Sequence, residues 1–179
     1  MFSQSDDIRN LSSIDLSELE YRRIRVQGHY DENSAIYIGP KTYDGTHGFH
    51  VLSPFVRSGD GATIIVNRGF ITRDHLAKVK TTHGRENAVL GLLRQAPGKH
   101  WSSSNNVPGE DKWYWLDVKA IMKYFGRKCD AEPFCGVYME ELFQGDSGDI
   151  KGRLAEGIPI GRAADVDFRN THATYAFIW

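Results

Sequence analysis

The sequence has no excess of charge of either sign and no long hydrophobic run. It carries 22 Lys and Arg residues against 23 Asp and Glu, a formal net charge of −1. Proteins that bind nucleic acid present a basic surface to the phosphates, so this balance argues against nucleic acid as a partner. No segment approaches the roughly 18 consecutive apolar residues that span a bilayer. The acidic start also lacks the apolar stretch of a signal peptide. We therefore expect a domain that folds in water.

Motifs of the common enzyme classes are also missing. The chain contains no GxSxG, no GxxxxGKS/T, no HExxH and no GxGxxG. Glu140 and Glu141 are adjacent, so on a strand their side chains would diverge and could not act as a carboxylate pair. His47 and His50 are three apart, and they diverge for the same reason. We predict a protein that is not an enzyme, with no catalytic residues and no metal site.

Cysteine is scarce, with Cys129 and Cys135 six positions apart. That spacing fits neither a CxxC redox motif nor a pair of zinc ligands. A disulfide would require that Pro133 turns the chain back until the two Cα atoms lie within about 7 Å. Free thiols are the favoured interpretation, and the bridge remains the alternative. A thiol redox protein that uses both cysteines is a rival function.

What the sequence does contain is a series of short β-rich segments separated by turn residues. This pattern is typical of an antiparallel barrel or closed sandwich, here with about 6–8 strands. Residues 23–30 and 34–40 are expected to pair as a hairpin through the turn at 31–33. The other expected strands are residues 48–56, 62–70, 87–95, 112–116, 133–141 and 164–170.

Two further segments depart from the strand pattern. Residues 117–126 predict a short helix, because Asp117 suits the N-cap position and Gly126 suits the end. Residues 145–161 are rich in glycine and predict a mobile loop. The fold class is therefore mainly β, with one short helix.

Proline and glycine mark special positions within two of the strands. Pro54 favours an edge strand or a bulge for residues 48–56, because proline cannot donate a ladder hydrogen bond. Residues 62–70 form the most apolar strand, which is expected at the centre of the sheet. This strand runs directly into Asn67, Arg68 and Gly69. Turn chemistry is one explanation for that ending, and presentation of Arg68 to a partner is the other.

Several blocks resemble, in order, those of the Surfeit locus protein 1 family, called Shy in yeasts. The blocks are LSELEYRRIRVQGHYDENSAIYIGPKT (16–42), GFHVLSPF (48–55), TIIVNRGFI (63–71), KWYWLDVKAI (112–121), GIPIG (157–161) and FRNTHATYAFIW (168–179). The resemblance implies an assembly factor for cytochrome c oxidase that assists maturation of subunit 1 and is linked to haem a insertion. A haem a carrier is the alternative.

The resemblance also implies a location and partners. The family has two transmembrane helices in the mitochondrial inner membrane or bacterial plasma membrane. Between them lies a soluble domain facing the intermembrane space or periplasm. Residues 1–171 would be this domain, and residues 172–179 would begin the second helix. The implied partners are subunit 1, its assembly intermediates and haem a synthase.

Candidate site residues follow from the same resemblance. His172 matches the proposed haem-linked histidine, and in a helix Tyr175 and Trp179 would lie on its face. The alternative is that His172 lies at the membrane–water interface, where Tyr175 and Trp179 would be the aromatic residues that typically lie at this level. Arg68 is a candidate to bind a haem propionate. Asn67 and Arg68 are also candidates to bind a partner protein. An internal salt bridge of Arg68 is the structural alternative. No cofactor is expected in the present chain, and haem a is expected only in the full-length protein.

Overall fold

The computed structural model describes residues 6–7, 21–31, 34–78, 87–129 and 134–164. These residues form strands and only two α-helices, separated by turns and two short 3₁₀ segments (Arg73–Lys78 and Pro108–Glu110). The strands are β1 (Asp6–Asp7), β2 (Arg23–Tyr30), β3 (Ile36–Tyr43), β4 (Thr46–Arg57), β5 (Thr63–Thr72), β6 (Asn87–Gln95), β7 (Val137–Phe143) and β8 (Arg162–Ala163). The helices are α1 (Val118–Tyr124) and α2 (Ser147–Glu156).

Five of the strands close into a barrel. The order is β2–β6–β7–β5–β4, and β4 returns to β2 with Gly28 opposite Arg57. β3 extends from β4, β1 pairs with β2, and β8 pairs with β7. The predicted barrel is confirmed, although its pairing is mixed, because β5 and β7 run parallel with Ile65 opposite Tyr138. Residues 62–70 are central, as predicted, since β5 has partners on both sides.

Alternation along the strands sorts the apolar side chains into two cores. Ile64 and Val66 belong to the inner core, which fills the barrel, and Ile65 between them belongs to the outer core. The outer core packs α1 and Trp113 against the barrel wall. The short helix is confirmed: Asp117 Oδ1 accepts a hydrogen bond from the backbone N–H of Ala120 at 3.0 Å. Each face of β5 is therefore buried against a different layer.

The predicted hairpin of residues 23–30 and 34–40 is wrong. β2 pairs with β4 and β6, and β3 pairs with β4, with Tyr43 opposite Thr46. The turn between those two residues is Asp44–Gly45, and both have positive φ, 46° and 73°. Asp-Gly with two positive φ angles is the preferred two-residue hairpin turn. This local signal decides the pairing, and the turn at 31–33 does not.

Pro54 lies in a strand with partners on both sides, so the edge alternative is wrong. The bulge alternative fails at Pro54 as well, because the irregular step of the β4–β5 pairing lies between Val51 and Leu52. β4 pairs with β3 as far as Leu52 and with β2 from Phe55 onward. Pro54 sits at this change of partner, where its carbonyl accepts from Asp31 N at 3.0 Å. In a strand the N–H and C=O of one residue point the same way. The missing N–H therefore removes only the reciprocal bond to Asp31 at the end of the β2–β4 ladder, and the carbonyl of Asp31 accepts from Ser34 N at 3.3 Å instead.

The mobile loop predicted for residues 145–161 is also wrong, because its centre is the helix α2. Asp146 and Asp149 form a reciprocal capping box at its start, and Gly157 ends it with φ 72°. The stabilisation from capping at both ends is greater than the destabilisation from the two glycines inside the helix. Residues 112–116 contribute only isolated bridges, such as Ile38 with Trp113. The strand predicted for 164–170 lies almost wholly outside the described residues.

Within the described part of the chain, no helix combines the length and the apolar composition needed to cross a membrane.

Cys129 and Cys135 are joined in a disulfide, with 5.1 Å between their Cα atoms. The favoured prediction of free thiols is therefore wrong. Packing on both sides explains the approach of the two cysteines: Cys129 packs against the outer core, and Phe134, next to Cys135, is buried in the inner core. The bridge ties the end of α1 to the start of β7.

Removal of this disulfide should destabilise the fold. For a closed loop this short, the entropy model predicts a loss of about 2 kcal/mol in the free energy of unfolding. The double substitution Cys129→Ser and Cys135→Ser should show this loss in urea unfolding, and the reduced wild type should match it. Equal unfolding midpoints for the oxidised wild type and the double variant would contradict the prediction.

Candidate functional site

A β-bulge at Asn67–Arg68–Gly69 organises the candidate site. Val51 of β4 lies opposite Gly69 and Leu52 lies opposite Asn67, so Arg68 is an extra residue with no cross-strand partner. Bulges re-aim side chains and increase the local twist of a strand. Sequence reasoning singled out these three residues, and the feature they form is a bulge and not a turn between strands.

Gly69 allows another segment to approach the bulge closely. Its φ is 103°, and a Cβ at this position would lie 1.7 Å from the backbone oxygen of Ile160. The next residue, Phe70, exchanges two backbone hydrogen bonds with Ile160, at 2.8 and 2.9 Å. The chain leading into β8 can therefore lie against β5 only because residue 69 has no side chain.

Asn67 holds the bulge from its outer side. Its Oδ1 accepts a hydrogen bond from Gly69 N at 3.0 Å. Its Nδ2 therefore faces the Nδ1 atom of His50, 3.5 Å away on β4. The amide orientation is fixed by the Gly69 contact, because only the side-chain oxygen can accept from a backbone N–H.

Arg68 points the other way, into the barrel. Only 6% of it is exposed, and its guanidinium lies over the ring of Tyr30, 4.4 Å from the ring centre. Tyr30 in turn donates its hydroxyl hydrogen to Oε2 of Glu141 on β7, at 2.8 Å. Within the described residues, Nε and Nη1 of Arg68 have no hydrogen-bond partner. The predicted internal salt bridge is therefore replaced by stacking on an aromatic ring.

Burial dominates the electrostatics of this inner cluster. It raises the pKa of Tyr30 well above its usual value, and the neighbouring Glu141 raises it further. Burial also raises the pKa of Glu141, although Tyr30, Arg68 and Arg153 act in the opposite direction. Low dielectric disfavours the charged form of both acids. The cluster therefore holds one buried cation beside two groups that resist ionisation.

On the outer side of the bulge lies a cavity of about 330 Å³. It is lined by aromatic and aliphatic side chains together with five polar or charged residues, His50, Asn67, Glu140, Glu141 and Arg162. The apolar members are Tyr43, Phe70, Phe143, Ile150 and Ile160. The rings of Tyr43 and Phe70 stack at 5.4 Å. Burial, assisted by Lys41, lowers the pKa of His50 to about 4, so its imidazole is neutral at physiological pH.

Glu140 also lines the cavity, but its charge is fully engaged. Its Oε2 accepts from Arg94 at 3.1 Å and from Arg162 at 2.7 Å. Its Oε1 accepts from the hydroxyl of Tyr138 at 3.2 Å. Alternation along β7 turns Glu140 outward and Glu141 inward, as the sequence predicted for two adjacent residues on a strand.

The structure brings together only part of the predicted site. Asn67 and Arg68 are adjacent but lie on opposite sides of the barrel wall. His172, Tyr175 and Trp179 lie outside the described residues. Within the described ranges, no three His, Cys, Asp or Glu side chains form a group that could hold a metal ion.

Three residues of the site were missed from the sequence: Tyr30, His50 and Glu141. The adjacency of Glu140 and Glu141 on an apolar strand was a usable signal, because one of the two had to face inward. Nothing in the sequence marked His50 as a neighbour of Asn67. That contact depends on the register between β4 and β5.

Comparison with known proteins now identifies the family. The sequence profile described as the SURF1 family matches residues 3–179. The chain belongs to the SURF1 family. Surfeit locus protein 1 of Mus musculus is 30% identical over 183 residues, with 93% of this chain and 55% of the mouse protein aligned.

Other members of the SURF1 family give the same result. Surfeit locus protein 1 of Gallus gallus is 29% identical over 94% of this chain, and that of Homo sapiens is 27% identical over 93%. The chain spans about half the length of the relatives it matches, 56% in both of these cases. The family match over residues 3–179 includes the bulge, the cavity and both helices.

The bulge should not tolerate a side chain at residue 69. Gly69→Ala combines a positive φ with a clash against backbone, so we expect a loss of roughly 2–5 kcal/mol in the free energy of unfolding. Gly61→Ala is the matched control, because Gly61 also has positive φ (69°) but open space within 4 Å of where its Cβ would stand. It should lose only about 1–2 kcal/mol. Equal losses in the two variants would show that the close approach of Ile160 adds nothing to the cost of a side chain at residue 69.

The neutral state of His50 should appear in the pH dependence of stability. The folded pKa is about 4 against an ordinary value of 6.5, so between these values only the unfolded chain takes up the proton. The free energy of unfolding should therefore fall as the pH is lowered from 6.5 to 4. His50→Gln should reduce this fall, measured by urea unfolding at several pH values. His47→Gln controls for the loss of an imidazole, and an unchanged profile in His50→Gln would refute the assignment.

Proposed function

We propose that this chain is the water-facing domain of a cytochrome c oxidase assembly factor that assists maturation of subunit 1. The observation that carries the proposal is membership of the SURF1 family over residues 3–179. The function is linked to haem a insertion. Subunit 1, its assembly intermediates and haem a synthase are the proposed partners.

The form of the domain is compatible with holding a partner. Its central strands are buried on both faces, and the barrel leaves no open edge between its five strands. In the candidate site, the acids are either paired with arginines, as Glu140 is, or buried with raised pKa, as Glu141 is. These features favour a rigid scaffold over a site that exchanges protons with a substrate.

The disulfide supports the proposed compartment. Disulfides persist in oxidising environments such as the periplasm and are rare in the cytosol. The Cys129–Cys135 bridge therefore supports a domain in the intermembrane space of mitochondria, or in the bacterial periplasm. In this proposal the domain is tethered to the inner membrane by flanking helices.

The haem a part of the proposal rests on His172, and Tyr175 and Trp179 would lie beside it if residues 172–179 formed a helix. Imidazole is a suitable ligand for haem iron. Arg68 fits a haem propionate poorly in the described fold, because its unpartnered nitrogens are buried inside the barrel. A direct contact would require that this end of the barrel opens. We therefore assign Arg68 to the shape of the barrel end.

The test uses cells that lack their own SURF1 family protein and have too little cytochrome c oxidase. Expression of the full-length protein should restore assembled oxidase and haem a content, and the protein should co-purify with subunit 1. His172→Ala should lower haem a content, while Tyr124→Ala, on the exposed side of α1, should not.

Two results would count against the proposal. Failure of the wild type to restore oxidase, at normal abundance in the right membrane, would refute the assembly role. Full restoration by His172→Ala would refute the haem link while leaving the assembly role in place.

A further inference from the structure

The cavity beside Asn67 has the composition of a small-molecule pocket. Ligand pockets are mainly apolar, with a few polar groups that fix the orientation of the ligand, and begin at about 300 Å³. This cavity, at about 330 Å³, lies at the small end of that range. Phe70, Phe143 and Ile160 are each less than 10% exposed, so its walls are held by packing in the fold.

The described residues of the lining present no unpaired charge. The carboxylate of Glu140 is bonded to two arginines, one of which, Arg162, also lines the cavity. The imidazole of His50 is neutral, and burial favours the neutral form of Glu141. A charged ligand would lose its hydration and would have to compete with the Glu140–Arg162 pair for a counter-ion. The site therefore suits an uncharged molecule.

One hydrogen-bond donor remains available. Asn67 directs its Nδ2 hydrogens at Nδ1 of His50, so Nδ1 accepts and the proton of the neutral ring lies on Nε2. Within the described residues, no group accepts a hydrogen bond from this Nε2–H.

We propose that this cavity binds an uncharged aromatic molecule that carries a carbonyl group. Its ring contacts the apolar side chains of the lining, among them Phe70, Phe143 and Ile150. Its carbonyl oxygen accepts a hydrogen bond from Nε2 of His50. The site goes beyond the proposed assembly function and needs neither haem nor a protein partner.

The test compares four small probes on the isotopically labelled 179-residue chain by NMR. Acetophenone has the ring and the carbonyl, ethylbenzene lacks the carbonyl, benzoate is an anion and benzylamine is a cation. Acetophenone should shift the methyl signals of Ile150 and Ile160 and the Nε2 signal of His50 in a saturable manner. One hydrogen bond of about 1 kcal/mol corresponds to roughly 5-fold tighter binding than ethylbenzene. Benzoate and benzylamine should bind more weakly than acetophenone.

Three variants separate the donor from the cavity. His50→Leu should reduce acetophenone to the affinity of ethylbenzene, while His47→Leu, outside this cavity, should keep the roughly 5-fold preference. Ile150→Trp should fill the space and weaken all four probes. Wild-type-like backbone spectra establish that each variant is folded.

Several results would overturn the proposal. These are equal binding of acetophenone and ethylbenzene to the wild type, a preference for either charged probe, or shifts confined to residues outside the cavity. Absence of any saturable shift up to the solubility of acetophenone would also overturn it. None of these results bears on oxidase assembly, so the two proposals stand or fall separately.

Discussion

The one extra residue of β5 opposite β4 determines the architecture on both sides of the barrel wall. With a regular ladder, residues 67 and 69 would face outward with Ile65, and residue 68 would simply continue the inner face. Because the bulge places Arg68 between two paired positions, the strand turns at this point. Gly69 then accepts the backbone of Ile160 at a distance that no side chain would allow. β5 parts from β7 here, and the segment leading into β8 lies beside both strands.

The inner side of the bulge is not arranged for maximal stability. Two nitrogens of Arg68 lack partners among the described residues, and each such buried group costs about 1–3 kcal/mol. The stacking on Tyr30 returns about 2 kcal/mol when both groups are desolvated. A leucine or methionine would fill a barrel interior without this cost. Departures of this kind from stable packing are typical of functional sites.

Local signals predicted the parts of the fold that depend on neighbours in sequence. The apolar run of residues 62–70 predicted a strand that is buried on both faces. Asp117 and Gly126, which lie next to the helix in sequence, predicted where α1 begins and ends. For the hairpin and for α2, where the prediction failed, a stronger local signal was present but unused. Asp44–Gly45 set the hairpin, and the capping box of Asp146 and Asp149 set α2.

The candidate site was predictable only in part, for a different reason. The composition of Asn67–Arg68–Gly69 marked a special backbone position, but whether each side chain faces in or out depends on register. Alternation alone cannot place a bulge. The contacts of Arg68 with Tyr30 and of Asn67 with His50 join strands that are distant in sequence. The disulfide likewise depends on Phe134 being buried in the barrel, which its local sequence does not reveal.

The geometry also determines how a loss of function on substitution of Arg68 should be interpreted. Arg68 and Asn67 share one short stretch of backbone, and Asn67 sets the tautomer of His50 through its contact with Gly69. Loss of the guanidinium would free Tyr30 and alter the bulge, and the outer cavity would change with it. A loss of function on substitution of Arg68 would therefore report on the shape of the whole barrel end. It would identify a contact made by Arg68 itself only if His50 and its cavity were shown to be unchanged.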